Sequence, residues 1–308
     1  MSLSVCVLTY NLAQTESEEG LFSFLPRNYD IYALGFQEVG PFVPVMCNKN
    51  QDRLTILLNT HFGDDYCCIT NMEMLGLKLY VTFKKSIENH IQSQHEFTIP
   101  TGADGIYGNK GALAVSLLVY DNPFLFICAH FAAHESETEK RNQNYKEIMQ
   151  QIQIFSGLPV MNSHSFIFFY GDLNYRIMST YEDVKKASMA GRYEYLLSHD
   201  QLNKEKNLHK VFQGFSEPEI QFPPTYRFDK NSLIYDTSAK SRVPSYTDRI
   251  LFYSKSRKRL QVIAYSADMN ILLSDHRPVI GLFRIDTSIE LSGFETLEPT
   301  KRSTLCRI

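Results

Sequence analysis

Short apolar runs of strand length recur along this chain of 308 residues, and they constrain its fold more than any other feature. Most are rich in β-branched and aromatic residues and end at polar residues or glycine, which is typical of buried strands. The nine runs are Ser4–Tyr10, Ile31–Phe36, Leu77–Phe83, Gly111–Tyr120, Phe124–Ala129, Ser165–Tyr170, Arg249–Tyr253, Leu260–Ser266 and Val279–Ile285. A chain with this many strands has to bury them in packed sheets.

Helix-like segments lie between the runs but do not alternate strictly with them. They are Leu54–Phe62, Glu135–Phe155, Tyr181–Ala190 and Tyr193–His199. In the second segment, Ile148, Ile152 and Phe155 recur at helical spacing. We therefore predict the α+β class, with packed sheets covered by helices, over a doubly wound parallel sheet. The simplest division is one domain over residues 1–286 and a tail over 287–308, which loses hydrophobic periodicity.

Charge and cysteine content restrict the class of protein. The formal net charge is −3, so any affinity for anions must be local, and no bulk attraction to nucleic acid is expected. The six cysteines form no CxxC pair, which favours thiols in a reducing compartment over disulfides or a zinc site. No apolar stretch approaches the roughly 20 residues of a membrane span, and no basic residue precedes the apolar N-terminus. We expect a monomeric cytoplasmic protein, peripheral to membranes at most.

One local basic cluster lies between two of the strand-like runs and comprises Lys255, Arg257, Lys258 and Arg259. Most clusters of this kind are solvated hairpin tips. The alternative is a peripheral contact with an anionic membrane, to which several neighbouring cations add local attraction.

Polar residues recur where the apolar runs begin or end. They are Asn11, Glu38, Asn109 with Lys110, His130, Asp172 with Asn174, Asp248, and Asp275 with His276. Each segment alone is a weak signal; Gly171–Arg176 is either a turn that bonds its own backbone or a catalytic strand end. Together they predict a cleft at one edge of a pair of packed sheets.

The residue types suit hydrolysis of a phosphate ester, which requires charge neutralisation, an activated water and a stabilised leaving oxygen. Glu38 is a candidate ligand for a divalent cation such as Mg²⁺. Asp172 suits a base that orients or deprotonates water. Asp248 and His276 suit a pair in which a cationic imidazole stabilises the phosphoryl group. Because the chain has no CX5R loop that contains glycine, no GxSxG and no P-loop, a covalent thiol or serine route is disfavoured.

These residues closely resemble the inositol polyphosphate 5-phosphatases, within the larger group that includes DNase I-like endonucleases. The resemblance runs from about Thr9 to Ile280 and is most specific in two segments, FFYGDLNYR at 168–176 and RVPSYTDRIL at 242–251. Supporting segments are GNKGA at 108–112, HFAAH at 130–134, RNQNY at 141–145 and FPPTYRFD at 222–229.

The resemblance implies a four-layer α/β/β/α sandwich with the site at one end of both sheets. It implies a Mg²⁺-dependent enzyme that hydrolyses the 5-phosphate of phosphoinositides, such as PI(4,5)P2 or PI(3,4,5)P3, or of soluble inositol polyphosphates. The implied metal residues are Glu38, Asn11 and Asp275. The implied catalytic residues are Asp172 for the water, Asn174 and His130 for the scissile phosphate, and Asp248 orienting His276. The implied substrate-binding residues are Lys110, Asn109, Arg227, Tyr226, Lys240, Arg242 and Arg249.

The chain departs from the family pattern in its aromatic residues. It contains no tryptophan, and Tyr10, Phe169 and Tyr246 stand where the family usually has one. These smaller rings change the packing near the site and leave the charged residues untouched. Arg227 stands in place of the usual lysine, and a planar guanidinium need not hold a ring phosphate as an ammonium does.

Two other functions are compatible with such a scaffold. A DNase I-like endonuclease would carry basic loops that span two strands of DNA, and the GNKG and TYRF segments favour an inositide instead. A catalytically inactive phosphoinositide-binding module would have lost at least one of four residues, and all are present: Glu38, Asp172, Asp248 and His276. The remaining histidines, including His164, are expected at the surface or in incidental positions.

Overall fold

The computed structural model describes residues 1–16, 20–40, 53–101 and 110–288, and within them the chain forms eleven strands and six α-helices. The strands are β1 (Ser2–Asn11), β2 (Ile31–Gln37), β3 (Tyr66–Met74), β4 (Leu77–Lys84), β5 (Ile91–Pro100), β6 (Gly111–Val119), β7 (Asn122–His130), β8 (Phe166–Asp172), β9 (Asp248–Ser254), β10 (Leu260–Ala267) and β11 (Val279–Asp286). The helices are α1 (Arg53–Phe62), α2 (Thr138–Ser156), α3 (Val160–Ser163), α4 (Tyr181–Met189), α5 (Tyr193–Ser198) and α6 (Gln201–Asn207).

The strands form two mixed sheets. One has six strands in the order β10-β11-β1-β2-β4-β3, and the other has five in the order β5-β6-β7-β8-β9. The pairs β1–β2 and β7–β8 are parallel, whereas their other neighbours are antiparallel. All nine predicted strands are present. The two that were not predicted, β3 and β5, are edge strands with polar residues interspersed, so they lack a continuous apolar run.

Buried side chains separate four layers, which confirms the predicted sandwich. Between the sheets, Phe126 of β7 stacks on Phe168 of β8 with ring centroids 5.4 Å apart. Helix α2 covers the five-stranded sheet, where Ile148 belongs to the same buried cluster as Phe169. Helix α1 covers the six-stranded sheet and buries Leu58. Each such side chain contributes roughly 1.5–3 kcal/mol of burial energy to the stacking of the layers.

The described part of the chain ends just after β11. The backbone N–H of Thr287 donates to the carbonyl of Met1 at 2.8 Å, and its hydroxyl donates to the same oxygen at 2.9 Å. The first residue of the predicted tail is therefore attached to the sandwich. The part of that tail from residue 289 onward lies outside the described residues.

The basic cluster lies at one end of the sandwich, where β9 ends. Strand β9 carries Asp248 at its start and runs seven residues to Ser254, roughly 20 Å at about 3.3 Å per residue. Arg259 is buried, donates to the carbonyl of Asp286 at 2.9 Å, and has its guanidinium 5.0 Å from the ring centroid of Phe166. The prediction of a membrane contact is therefore wrong for Arg259. Among the described helices, none is long and apolar enough to cross a membrane.

His164 lies in the core, so the surface position, one of the two alternatives predicted for it, is wrong. It precedes β8 and is 1% exposed. Its Nδ1 lies 3.1 Å from the carbonyl of Val160, and its Nε2 lies 2.9 Å from the hydroxyl of Ser116. A neutral imidazole protonated on Nδ1 satisfies both partners. Burial lowers the pKa of His164 to about 4.

Acid should therefore destabilise the fold through His164. Its ordinary pKa of 6.5 applies to the unfolded chain, so between pH 6.5 and about pH 4 the unfolded chain binds the proton that the folded chain excludes. This difference in pKa between the unfolded and the folded chain changes the free energy of unfolding by about 3 kcal/mol. From pH 7 to pH 4, we expect the free energy of unfolding to fall by about 3 kcal/mol more in the wild type than in His164→Asn, measured by urea denaturation. Equal falls would show that His164 is not the responsible group.

Candidate active site

The ends of seven strands bring the predicted polar residues to one end of the sandwich. Parallel neighbours present their carboxyl ends at the same sheet edge, and antiparallel neighbours present their amino ends there. Strand β1 therefore ends at Asn11 beside Glu38, which follows β2. In the other sheet β7 ends at His130, β8 ends at Asp172, and β9 begins at Asp248. Lys110 and His276 complete the set, just before β6 and β11 respectively.

The strand register aligns the five-stranded half of the site. His130 pairs with Asp172 across β7 and β8, and Asp172 pairs with Asp248 across β8 and β9. Gly171 precedes Asp172 with a φ of +145°, and a Cβ there would lie 1.9 Å from the carbonyl oxygen of Ala129. Only glycine permits this close approach, so Gly171 determines how the Asp172 carboxylate leaves the strand.

Asn11 joins the two carboxylates that face the cleft. Its Nδ2 donates to Asp172 at 2.9 Å and to Glu38 at 3.3 Å. Its Oδ1 accepts from the backbone N–H of Ala13 at 2.9 Å. One lone pair of this oxygen remains beyond that hydrogen bond, so the metal-ligand role of Asn11 stays a prediction. Its amide nitrogen holds the two carboxylates in position.

Asp172 is an ionised carboxylate in a buried position. Burial raises its pKa, but the hydrogen bond with His130 and the positive charges of His276 and Lys110 outweigh this effect and hold the pKa below its usual range. Burial and the charge of Lys110 lower the pKa of His130, so its ring is neutral. The Lys110 ammonium contacts His130 Nε2, the ring nitrogen that also lies 3.4 Å from Asp172 Oδ2. Lys110 is thus the cation on this side of Asp172.

Asp248 and His276 form a buried ion pair. His276 Nδ1 lies 2.9 Å from Asp248 Oδ2 and 3.1 Å from its Oδ1. Burial lowers the pKa of His276, but attraction and hydrogen bonding to Asp248, with help from Asp172 and Asp275, raise it to about 10. His276 is therefore an imidazolium at neutral pH. This confirms the predicted pairing of the two side chains.

A cationic side chain that lies at the site but was absent from the predicted set is Arg176. Its Nη2 donates to Asn174 Oδ1 at 2.6 Å, and its Nε donates to the Asn174 carbonyl at 3.0 Å. Its guanidinium lies 4.6 Å from the ring centroid of Tyr226, and that ring lies 4.5 Å from the ring of His276. The sequence signal for Arg176 was its place in the GDLNYR segment, two residues after Asn174.

Arg227 and Asp275 neutralise each other beside this group. Arg227 Nε lies 3.3 Å from Asp275 Oδ2, and His276 Nε2 lies 3.9 Å from Asp275 Oδ1. Asp275, predicted beside the metal, therefore has cationic side chains as its partners in this structure. Arg227 remains about one-third exposed, so it can still meet a ligand.

Arg249 was predicted to bind substrate, and the structure contradicts this. Successive strand residues point to opposite faces, so Arg249 points away from the face of Asp248. It is fully buried and pairs with Asp200 at 2.9 Å and with Glu217 at 2.6 Å. Of the other predicted contacts, Arg242 pairs with Asp236 at 3.2 Å, Lys240 is exposed, and Asn109 lies outside the described residues.

The donor set fits a hard divalent cation. Among the described residues, Asp172, Asp248 and His276 offer ligand atoms within 4.8 Å of one another. Asp248 and His276 Nδ1 are occupied by each other, however. Asp172 and Glu38 remain as the carboxylates that share the Asn11 amide, and the Glu38 side chain is 37% exposed. Carboxylate oxygens of this kind suit Mg²⁺ or Ca²⁺.

Comparison with known proteins shows similarity along almost the whole chain. Residues 8–282 match the model of endonuclease/exonuclease/phosphatase family 2. Inositol-1,4,5-trisphosphate 5-phosphatase 1 of Schizosaccharomyces pombe is 35% identical over 92% of this chain and 27% of that protein. Synaptojanin-1 of Homo sapiens is 33% identical over 83% of this chain and 18% of that protein. The chain thus spans about a quarter or less of the length of these relatives.

Two solved structures are also similar. The inositol polyphosphate 5-phosphatase domain of SPsynaptojanin, in complex with inositol (1,4)-bisphosphate and a calcium ion, superposes with a TM-score of 0.79 at 33% identity, covering 92% of this chain and 84% of that one. Cimex nitrophorin, as its ferrous NO complex, has a TM-score of 0.74 at 24% identity, covering 92% of this chain and 98% of that one. The second similarity concerns the fold alone.

Proposed function

Because the chain belongs to the inositol polyphosphate 5-phosphatases of the endonuclease/exonuclease/phosphatase family, we propose that it is a Mg²⁺-dependent phosphomonoesterase that removes the 5-phosphate of inositol phosphates or phosphoinositides. The observation that carries this proposal is the meeting of an ionised Asp172 with the basic side chains Lys110 and Arg176 and the His276 imidazolium in one site. Hydrolysis of a highly anionic ester needs both a carboxylate for water and cations for phosphate.

Asp172 orients the attacking water in this mechanism. Its pKa is below the usual range, so it is a weak base and always ionised near neutral pH. A loose phosphoryl-transfer transition state needs little deprotonation of the water before the leaving bond breaks. Position therefore matters more than basicity. The hydrogen bond from Asn11 at 2.9 Å holds the carboxylate for that task.

His276 stabilises the transferred phosphoryl group. Its Nδ1–H is used by Asp248, so its Nε2–H is the free donor of the imidazolium. A charge-assisted hydrogen bond from this cation becomes stronger as negative charge develops on the phosphoryl oxygens in the transition state. Asn174 is held from both sides, because its Oδ1 accepts from Arg176 and its Nδ2 donates to the carbonyl of Phe131 at 3.2 Å. In this position Asn174 would contact the same phosphoryl group.

Glu38, with Asp172, would hold the divalent cation. A bound Mg²⁺ would neutralise phosphate charge and polarise a phosphate oxygen. The calcium ion named in the SPsynaptojanin complex supports a divalent metal in this family, and the inositol (1,4)-bisphosphate in that complex supports an inositol ring ligand. That bound compound is what remains when inositol (1,4,5)-trisphosphate loses its 5-phosphate.

Lys110 and Arg227 would bind the other phosphates of the inositol ring. The side chain of Tyr226, which packs against the imidazole of His276, would lie beside them. A lipid substrate would have to approach the end of the sandwich where the strands place Asp172 and Asp248. Lys255, Arg257 and Lys258 follow the other end of β9. Membrane contact through these three residues would therefore not bring a lipid headgroup to the site.

Phosphate release from a defined panel tests the proposed function. With Mg²⁺, we expect release from inositol (1,4,5)-trisphosphate and from vesicles that contain PI(4,5)P2, and none from inositol (1,4)-bisphosphate. EDTA should abolish release, and excess Mg²⁺ should restore it. The proposal would be refuted if neither inositol (1,4,5)-trisphosphate nor PI(4,5)P2 released phosphate, or if inositol (1,4)-bisphosphate released as much. Nicking of plasmid DNA under the same conditions would support the endonuclease instead.

A further inference from the structure

Two threonine hydroxyls converge on the carboxylate that orients His276. Thr225 Oγ1 donates to Asp248 Oδ2 at 2.7 Å, and Thr247 Oγ1 donates to the same oxygen at 2.9 Å. His276 Nδ1 lies 2.9 Å from this oxygen and 3.1 Å from the other one. All four side chains are buried. Thr247 is the chain neighbour of Asp248, whereas Thr225 comes from a different segment.

That segment is inserted between the chain stretches that carry the ion pair. The backbone N–H of Arg277 donates to the carbonyl of Thr225 at 2.9 Å. The next residue, Tyr226, forms isolated bridges with Ser245 on one side and with His276 on the other. Thr225 therefore contacts Asp248 through its hydroxyl and, through its carbonyl, the backbone N–H of the residue that follows His276.

A carboxylate is free to rotate about its last side-chain bond unless hydrogen bonds define its plane. At Asp248, the imidazole approaches both oxygens, and the two hydroxyls fill the remaining positions around Oδ2. This arrangement sets the direction from which His276 is held.

We propose that Thr225 is a positioning residue for the phosphatase reaction. Its hydroxyl fixes the Asp248 carboxylate so that His276 directs Nε2–H at the phosphoryl group. The inference rests on the proposed function. Thr225 itself is fully buried and does not touch substrate, so its effect must pass through the ion pair.

Thr225→Val removes the hydroxyl and keeps the shape. We expect kcat to fall about 10- to 100-fold, the size of one hydrogen bond to a charged group, with KM nearly unchanged. Thr225→Ser restores the hydroxyl and should recover most of the lost kcat. If the valine variant does not fold, Thr225→Cys replaces it with the same expectation, because a thiol is a weak donor.

Thr82→Val is the matched control. Thr82 is also buried, in β4, and its hydroxyl donates to the carbonyl of Cys67 at 2.7 Å, in the outer part of the other sheet. The loss of this hydroxyl should lower stability but leave kcat at the wild-type value. A fall in kcat of equal size in both variants would reduce the role of Thr225 to general stability.

Proton NMR gives a readout that needs no turnover. The Nδ1–H of His276 should appear as a low-field, slowly exchanging proton, identified by its loss in His276→Asn. It should broaden or move upfield in Thr225→Val and persist in Thr225→Ser. An unchanged proton in the valine variant, or a kcat within twofold of wild type, would overturn the proposal. If the wild type releases no phosphate, the proposed function fails, and the NMR result alone decides the role of Thr225.

Discussion

Asp172→Asn is expected to lower kcat by about 10²- to 10⁴-fold, the range for loss of a positioned catalytic base. Asparagine keeps the volume and one oxygen of aspartate, but it has no negative charge. It therefore cannot orient the attacking water in the same way or accept a proton from it. The carboxylate is 2% exposed and held by Asn11, so no nearby solvent group replaces it. KM should change little, because the cations that bind the other phosphates are untouched. Steady-state phosphate release measures both constants.

Asp121→Asn is the control for this substitution. Asp121 lies in the turn between β6 and β7, at the opposite end of the sheet from the site, and is exposed. Its φ is +58°, a conformation that asparagine also adopts readily. This variant should have wild-type kcat. A residual kcat above one tenth of wild type in Asp172→Asn, with the fold verified by circular dichroism, would assign the water to another residue.

His276→Asn has the second largest expected effect, a fall in kcat of about 10²- to 10³-fold. The substitution removes the imidazolium, whose pKa of about 10 keeps it charged at neutral pH. It also leaves the Asp248 carboxylate buried without its cation, which costs about 3–5 kcal/mol of stability. Activity should therefore be measured well below the melting temperature of the variant. His209→Asn, at an exposed position with a φ of +56°, should remain fully active.

The ion pair should behave as a unit in a double-mutant cycle. Asp248→Asn alone should lower kcat nearly as much as His276→Asn alone, because the imidazole loses both its orientation and its charge. The double variant should be no slower than the slower single variant. If the two effects on the activation free energy simply add, the residues act separately and the mechanism proposed for His276 is wrong.

Much of the fold followed from patterns that are local in the chain. The seven interior strands and the edge strands β9 and β10 are apolar runs that end at polar residues, so nine strands and the class were predictable. Edge strands β3 and β5 were not, since only one of their faces is shielded and their residues alternate in polarity. The short helices α3 and α6 were also missed. A helix of this length owes its stability to packing, which leaves a weak local pattern.

The site was predictable where chemistry requires one residue type at a strand end. Asp172, Asp248 and His276 were found in this way, together with the pairing of the last two. Arg249 was misassigned because it stands beside Asp248 in sequence, whereas strand geometry sends it to the opposite face and into a pair with Asp200. A nearby position in sequence is not a nearby position in space when side chains alternate.

The sequence by itself determined the number and character of the interior strands, the family, and the charged residues on which the chemistry depends. Only the tertiary structure decided which of those residues meet, which way the Asn11 amide faces, and that Thr225 lies against Asp248. Thr225 and Asp248 are 23 residues apart in the chain and 2.7 Å apart in space. Strand propensity and polar stops are set by each residue and its neighbours, whereas contacts, orientation and pKa values depend on packing across two sheets.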